Sequence, residues 1–405
     1  MPALDGMRIL DMTQYEAGTS CTQALAWMGA DVVKVEPPGR GDPGRSTQGD
    51  GNSPYFLNWN SNKRSIALDL RQPRGRELLL EMAAHHDVFV ENYGPGVVEK
   101  LDIDYDVMKA ANPKIIYARL KGYGTTGPYA DYKCFDKVAQ AAAGMYSTTG
   151  TVDGPPIRPG NTVGDSGTGM QLAIAILAAY IQRERTGEGQ LIEIAMQEAM
   201  TYYMRTVISG GVNQLLRADP DADWGDAVAV RSGDGPSPLN TLYPCNPGGS
   251  NDYVQVIANT PRMWDSMCVA MGRSELAVDE RFASDQARVA HEAELREAIS
   301  EWTMRYSKWE VMEILSEAGV PCSAVFDTSD LFANEHLNAR GFIHTLDHPQ
   351  HGEIKLLGWA PRMEKSQVPM RRAPLLGEHS DEILAADLDL DGAQIAELRA
   401  AGVVS

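Results

Sequence analysis

The sequence predicts a doubly wound α/β domain built on a parallel sheet, together with a smaller α+β domain. Three observations carry this. Short apolar runs alternate with helical segments as far as Leu120. Arg8–Met12 (RILDM) and Asp31–Glu36 (DVVKVE) enclose a helical stretch in under thirty residues, the unit of a parallel sheet. Asn213–Pro238 then turns Gly-, Pro- and Asp-rich, and the chain beyond it is mostly helical and charged, as a second domain would be.

In chain order, a turn at Thr13–Gly18 follows the first strand and leads to a helix near Thr19–Met28, which ends at Gly29. After the second strand, the polar loop GRGDPGRSTQGDGNSP reads as a surface segment. Strands follow at Ser65–Leu70, Asp87–Glu91 and Lys114–Leu120, separated by helices near Arg74–His85 and Val97–Ala110. This regular alternation is the mark of the doubly wound fold. A long helix begins near Asp165, followed by a strand at Gln190–Ala195 and a helix over 197–209. Tyr253–Ile257 restarts strand character, Thr260–Gly319 is helical, and Val320–Val325 is a strand. The tail reads as strands and a closing helix. The domain boundaries predicted are 1–212 for the large domain, 213–324 for linker and small domain, and 325–405 for a return segment.

Composition narrows the function. The 405 residues include 43% hydrophobic and 22% charged residues, an ordinary globular balance with enough chain for a sizeable core. A net charge of −19 argues against non-specific nucleic-acid binding, but leaves room for local basic patches that hold an anionic ligand. The five cysteines are far apart and show no CxxC spacing, so no metal cluster is expected and reduced thiols in a cytoplasmic protein are. No secretory pattern opens the sequence and no apolar stretch has membrane-spanning length. Glu36 ends the second strand, where a dinucleotide-binding fold holds a ribose. The first turn, however, reads QYEAGTSC and lacks G-x-G-x-x-G, so an NAD site is not expected.

The stretch around Asp165, VGDSGTGMQLAIAILAAY, admits two readings. Asp, Ser and Thr before an apolar run mark a helix start, so Asp165 fits an N-cap accepting backbone N–H groups. Glycines on both sides also leave room for a bulky group to approach its carboxylate, and a carboxylate serves as a covalent nucleophile.

LDGMRILDMT, GADVVKVEPPGRGD, NKRSIALDL, VENYGPG, KGYGTTGP, the VGDSGTGM run and APLLGEHS, taken together and in order, resemble the class III CoA-transferases. The likeness is nearest to the formyl-CoA transferase branch of the CaiB–BaiF family and covers nearly the whole chain. It implies that Asp165 is the nucleophile, with CoA esters as substrates and no tightly bound cofactor or metal. It also implies transfer of CoA from an acyl-CoA to a small dicarboxylic free acid, through an aspartyl mixed anhydride and an aspartyl-CoA thioester. Gly164, Ser166 and Gly167 would lie beside the reacting carbonyl and offer backbone donors to its oxyanion. Lys133 matches a lysine on the pantetheine-pyrophosphate, Asn92 and Tyr93 match the walls of the CoA channel, and Lys100 replaces an arginine at the nucleotide end. Arg71 stands where a lysine holds a phosphate. Tyr55 matches an aromatic over the small-acid pocket. Without the resemblance, each of these cations reads as a solvated charge and Tyr55 as core.

Four departures surround the small acid rather than the thioester. Glu16 stands in place of a glutamine beside the nucleophile, and Phe135 in place of a tyrosine. Pro37 replaces an arginine near the adenosine phosphate, with Arg40 as a substitute. The tetraglycine loop is absent, with Ser232–Pro236 or Pro247–Ser250 as substitutes. The departures count against formyl-CoA and oxalate as the substrates. The family also contains α-methylacyl-CoA racemases, which need a histidine opposite the aspartate. No histidine lies between Asp87 and Ala290, so transfer is the expected reaction and racemisation the alternative, with a non-catalytic nucleotide-binding protein outside the family. The resemblance implies an interlocked homodimer in the cytoplasm, with no nucleic-acid or membrane partner.

Overall fold

The computed structural model describes residues 1–47, 51–231, 233, 235 and 237–405. The chain divides into two compact units: Met1–Met145 with Arg158–Ala227 and Gly341–Ser405, and Tyr146–Ile157 with Val228–Arg340.

The larger unit is organised on six parallel strands. These are β1 (Arg8–Met12), β2 (Asp31–Glu36), β3 (Arg64–Ala67), β4 (Val88–Glu91), β5 (Ile116–Lys121) and β6 (Leu191–Ala195), in the spatial order β3-β2-β1-β4-β5-β6. Both faces of the sheet are covered, so the strands carry apolar residues at consecutive positions rather than in alternation with polar ones. Leu10, Val33, Phe89 and Tyr117 point to one core, and Ile9, Val32, Val90 and Ala118 to the other. The first face packs against helices Pro73–Ala83 and Tyr105–Ala111 and the C-terminal helices Ser380–Leu388 and Gly392–Ala400. The second face is covered by α1 (Ala17–Trp27), α2 (Val163–Thr186) and α3 (Met196–Tyr203).

Four expectations change. The helix predicted over Val97–Ala110 is two helices, Val97–Lys100 and Tyr105–Ala111. Asp102 takes a left-handed φ of 53° between them and the Asp104 side chain caps the second by accepting from the N–H groups of Asp106 and Val107. The helix predicted over 197–209 breaks at Met204, and its second half runs on as Arg205–Ala218. The division between the units therefore falls at Val228 rather than at 213, and the return segment begins at Gly341 rather than at 325. The loop from Gly39 is on the surface only in part: Gly39, Arg40, Ser46 and Thr47 are exposed, but Gly41, Asp42, Gly44 and Arg45 are buried. Arg45 is 2% exposed and donates to both carboxylate oxygens of Glu36 at 2.6 Å.

The smaller unit holds an antiparallel sheet of Asn240–Pro244, Tyr253–Ile257 and Cys322–Ala324, with Trp264, Phe282, Leu295, Trp302 and Val311 from its helical segments packed into one core. This is the α+β character expected of it. Among the described residues, no helix is long and apolar enough to cross a membrane.

One contact fixes the positions of the segments that matter below. α1 and α2 cross closely at Gly169, where a Cβ would lie 2.1 Å from Ser20 Oγ and 2.4 Å from the Ala17 carbonyl. Only glycine admits that approach. Gly169→Ala should cost about 3 kcal/mol, the upper end of overpacking penalties. Gly210→Ala, on an open stretch of Arg205–Ala218 with nothing within 4 Å, should be neutral or stabilise by about 0.5–1 kcal/mol. Urea unfolding of the two variants against the parent checks the pair.

Candidate active site

In an open parallel sheet, ligands bind beyond the carboxyl ends of the strands where the strand order reverses. Here that point lies between β1 and β4. The chain leaves β1 as Thr13–Glu16 and β4 as Asn92–Tyr93, and the two exits are clasped together. The Asn92 side chain accepts from the Gln14 N–H at 2.8 Å and donates to the Gln14 carbonyl at 2.9 Å. Lys34 Nζ donates to the Thr13 carbonyl and pairs with Asp42, each at 2.8 Å. Asp42 in turn accepts from the Tyr15 N–H at 3.1 Å. These bonds hold Tyr15 at a φ of 59°, a left-handed conformation that costs a non-glycine residue about 1–3 kcal/mol.

The charges that anchor this turn are buried. Lys63 reaches Asp11 at 2.9 Å, and both are fully enclosed. Burial pushes the Asp11 carboxyl up, but Lys63 and Lys34 outweigh it and hold it at about 2. Burial pulls the Lys63 ammonium down to about 8 despite Asp11. Glu36, committed to Arg45, Ser65 and the Asp42 N–H, has no role left as a ribose holder.

Asp165 is the third residue of α2, not its cap. Thr162 occupies the N-cap position, and its side chain makes no capping bond. The capping reading of Asp165 is therefore corrected. Its carboxylate accepts no hydrogen bond from any described residue, and it lines a cavity of about 230 Å³. Its own N–H donates to Asp136 Oδ1 at 3.1 Å. Asp136 is steadied by Gln140 at 2.9 and 3.0 Å and by Lys137 at 3.1 Å. Gly164 makes this approach possible, since a Cβ there would lie 2.7 Å from both the carbonyl and Oδ1 of Asp136. Burial, reinforced by the Asp136 charge and only partly offset by Lys137, raises the Asp165 carboxyl to about 7.

Glu16 precedes α1 and is 2% exposed. Thr162 Oγ1 donates to its Oε1 at 2.6 Å. Burial raises Glu16 to about 8, Asp165 and Asp136 push the same way, and the Thr162 bond and Lys137 oppose them. Tyr55 lies within electrostatic reach of both carboxylates. Burial first, then the charges of Glu16 and Asp165, drive its phenol well above the usual range, so it stays a neutral donor.

Tyr15, Asn92, Tyr93, Tyr132, Lys133, Cys134 and Phe135 share the wall of the cavity with Asp165. Phe135 stands edge-on to Tyr15, with centroids 6.0 Å apart. Lys133 forms no ion pair among the described residues. A second cavity, of about 470 Å³, is lined by Arg40, Arg71, Pro37, Leu70, Val97 and Leu101, and shares Gln14 and Tyr93 with the first. Arg71 is paired with Asp69 at 2.8 Å and Arg40 is exposed and unpaired among the described residues.

The sequence-read residues thus fall into two sets. Asp165, Asn92, Tyr93, Lys133, Phe135, Arg40 and Arg71 line the two cavities, whereas Glu16 and Tyr55 line neither and lie within electrostatic reach of Asp165. Lys100 lines neither cavity. Gly164 packs on Asp136, Gly167 on Tyr203 and Met200, and the Ser166 hydroxyl donates to the Thr162 carbonyl at 3.1 Å, so these three are not on the cavity wall. Of the two loops named in place of the tetraglycine segment, Ser232, Asp234 and Pro236 lie outside the described residues, and Pro247–Ser250 belongs to the smaller unit. Sequence reasoning missed Asp136, Lys137, Thr162 and Tyr15. Only tertiary contact identifies them, since no spacing in FDKVAQ or GNTVGD signals a role.

No histidine lines either cavity. His379 Nδ1 accepts from the Ser65 N–H at 3.3 Å, and His86 is buried against the Met82 carbonyl at 2.8 Å.

Comparison with known proteins agrees with this arrangement. Residues 4–380 match the family model described as CoA-transferase family III. A formyl-CoA:oxalate CoA-transferase from Streptomyces coelicolor is 40% identical over 99% of both chains. One of the same name from Rhodopseudomonas palustris is 38% identical over 100% of this chain and 97% of its own. A CaiB/BaiF family protein from Brucella suis has the same fold, with a TM-score of 0.82, 30% identity and coverage of 95% and 99%. A hypothetical protein from Mycobacterium tuberculosis reaches a TM-score of 0.78 at 27% identity, with coverage of 95% and 99%. The chain is a member of CoA-transferase family III, an enzyme whose substrates are CoA thioesters.

Proposed function

We propose that the protein moves CoA from an acyl-CoA to a free carboxylic acid with Asp165 as covalent carrier. The observation that carries this is the unpartnered Asp165 carboxylate in a cavity that shares Gln14 and Tyr93 with a second, arginine-bearing one. A thioester fits the first and its nucleotide phosphates fit the rim of the second, where Arg40 and Arg71 supply donors.

The chemistry balances without metal or ATP. The Asp165 carboxylate attacks the thioester carbonyl, the C–S bond breaks, and a mixed anhydride and CoA thiolate result. The thiolate attacks the aspartyl carbonyl, releasing the donor acid and leaving an aspartyl-CoA thioester. The acceptor carboxylate attacks that carbonyl and expels CoA thiolate, which then attacks the acceptor-derived carbonyl of the new anhydride and frees Asp165. Both intermediates hydrolyse readily, so the function requires water to be kept from them, which Phe135 and Tyr132, 62% and 58% exposed, do not do in the single chain. A racemase lacks support here, because no histidine faces Asp165 across the cavity.

The acceptor in this reading is a small dicarboxylic acid larger than oxalate. The relatives named for oxalate supply the class, and Phe135 and Glu16 supply the departure from it. Glu16, held neutral beside the Asp165 anion, donates a hydrogen bond to the acid. The reading includes the homodimer of the resemblance. Ile174, Ile181, Tyr202, Val207 and Ile208 leave apolar surface on α2, α3 and Arg205–Ala218 for a second copy to cover.

Asp165→Ala should reduce transfer to background while acyl-CoA still binds by calorimetry. Hydroxylamine added to the turning-over parent should mark Asp165 in a peptide digest. Parent-like turnover by the variant would sink the mechanism. Arg40→Ala and Arg71→Ala should each raise KM for the acyl-CoA roughly tenfold with little change in kcat, in proportion to a lost charge-assisted bond.

The pH dependence follows from the two carboxyls. Asp165 acts as the anion, so the rate should rise as pH passes about 7. Glu16 acts as the acid, so the rate should fall as pH passes about 8. Glu16→Gln should abolish the alkaline fall, leave the acid limb, and gain relative rate with oxalate over larger dicarboxylates. Identical profiles and acid preferences in both proteins would make Glu16 a bystander.

A further inference from the structure

We propose that Thr162 is a positioning residue that fixes which oxygen of Glu16 carries its proton, so that the O–H faces the substrate acid rather than the protein. The inference rests on the reading of Glu16 as a hydrogen-bond donor and adds the element that aims it.

Thr162 occupies a position from which a threonine ordinarily caps a helix, yet its hydroxyl makes no capping bond. Its one hydroxyl hydrogen goes instead to Glu16 Oε1 at 2.6 Å, and that is its sole hydrogen bond among the described residues. Its backbone carbonyl accepts from the N–H groups of Asp165 and Ser166, each at 3.1 Å. One residue therefore ties Glu16 to the helix start that presents the nucleophile. An oxygen that accepts a short bond from a hydroxyl is the poor site for a carboxyl proton. The proton sits on the other oxygen, Oε2, which has no partner among the described residues. Were the bond reversed, with Glu16 donating to Thr162, the hydrogen of the exposed threonine would pass to water and the substrate would meet a bare carbonyl oxygen.

Among the groups around Glu16 in the described residues, Thr162 is the one that hydrogen-bonds its carboxyl. Asp165 comes from α2, Asp136 and Lys137 from the helix Asp136–Ala142, and Tyr55 from the helix Pro54–Trp59. The carboxylates cannot donate to Glu16, and Lys137 is already engaged with Asp136 and the carbonyls of Pro159 and Asn161. The hydroxyl bond also stabilises the Glu16 anion, so its removal should move the alkaline limb upward.

The test compares Thr162→Val, Thr162→Ala and Thr162→Ser in the full chain, alone and with Glu16→Gln. Transfer to a dicarboxylic acceptor is followed across the alkaline limb. Thr162→Val and Thr162→Ala should lower kcat at least fivefold with KM for the acyl-CoA unchanged, and should shift the alkaline limb to higher pH. Thr162→Ser, which keeps the hydroxyl, should restore both. In the Glu16→Gln background no limb remains, so no shift should appear. Parent-like kcat and limb in Thr162→Val and Thr162→Ala, with Glu16→Gln still abolishing the limb, overturn the role of Thr162 and leave Glu16 standing. Thr162→Ser behaving like Thr162→Val also overturns it, since the hydroxyl would then be irrelevant. Persistence of the limb in Glu16→Gln itself overturns the underlying reading of Glu16.

Discussion

The approach of α1 to α2 at Gly169 is the constraint on which the site depends. α1 begins directly after Glu16, and α2 carries Asp165 in its first turn. A helix pair with ordinary side chains at the crossing stands 8–10 Å apart between axes. With no Cβ at residue 169, Ser20 and the Ala17 carbonyl come within reach of the α2 backbone. That drawing-in brings the N-terminal ends of both helices together, and with them the two carboxyls and Thr162. The glycine run of VGDSGTGM therefore works in packing as much as in access. Gly164 admits Asp136, Gly167 admits Tyr203, and Gly169 admits α1.

A second layer, beneath the first, keeps the β1 exit in a shape it would not adopt alone. Asp11, Lys34, Glu36, Asp42, Arg45 and Lys63 are all buried and are paired with one another. Buried ion pairs add little net stability, because desolvation consumes most of the Coulombic gain. Their effect here is geometric. Each places a donor or acceptor where the strained turn from Thr13 to Tyr15 needs one, and removal of one partner would leave an unpaired charge in the interior at a cost of roughly 3–5 kcal/mol. Strain at Tyr15 is thus held by a network that has few other arrangements.

Much of the fold was legible because its signals are local. The strands of the large sheet are short apolar runs bounded by turns, and they appear within a few residues of their predicted limits, as with Asp31–Glu36. The break at Leu101–Asp104 was not legible, since the apolar spacing runs through it and only the left-handed Asp102 and the cap at Asp104 end the first helix. The site was legible in part for the same reason. Asp165 stands out among small residues, and the resemblance also assigned Asn92, Tyr93, Lys133 and Phe135 on the cavity wall. Its place in the helix did not stand out, because Thr162 and Asp165 are equally good caps by composition. The buried cations were also hidden. Lys34, Arg45 and Lys63 read as solvated charges until the fold brings Asp11, Glu36 and Asp42 to them. Asp136 was invisible because its role comes from one backbone N–H and the missing side chain of Gly164.

The electrostatics of the site then follow from the absence, among the described residues, of a cation paired with Asp165. An arginine against Asp165 would keep it ionised at all physiological pH values, but would also stabilise the carboxylate and blunt its attack. Here Asp165 accepts no hydrogen bond from the described residues, and burial raises it to about 7, so the anion that forms is more basic than an ordinary aspartate. Asp136 cannot neutralise it; it orients it through the backbone and adds repulsion, while Lys137 limits that repulsion. Burial raises Glu16 as well, to about 8, with the Asp165 and Asp136 charges pushing the same way, so the two carboxyls disfavour double ionisation. On the proposed reading, nucleophilicity and proton placement share one physical cause, the crowding of three carboxyl groups with a single lysine close by.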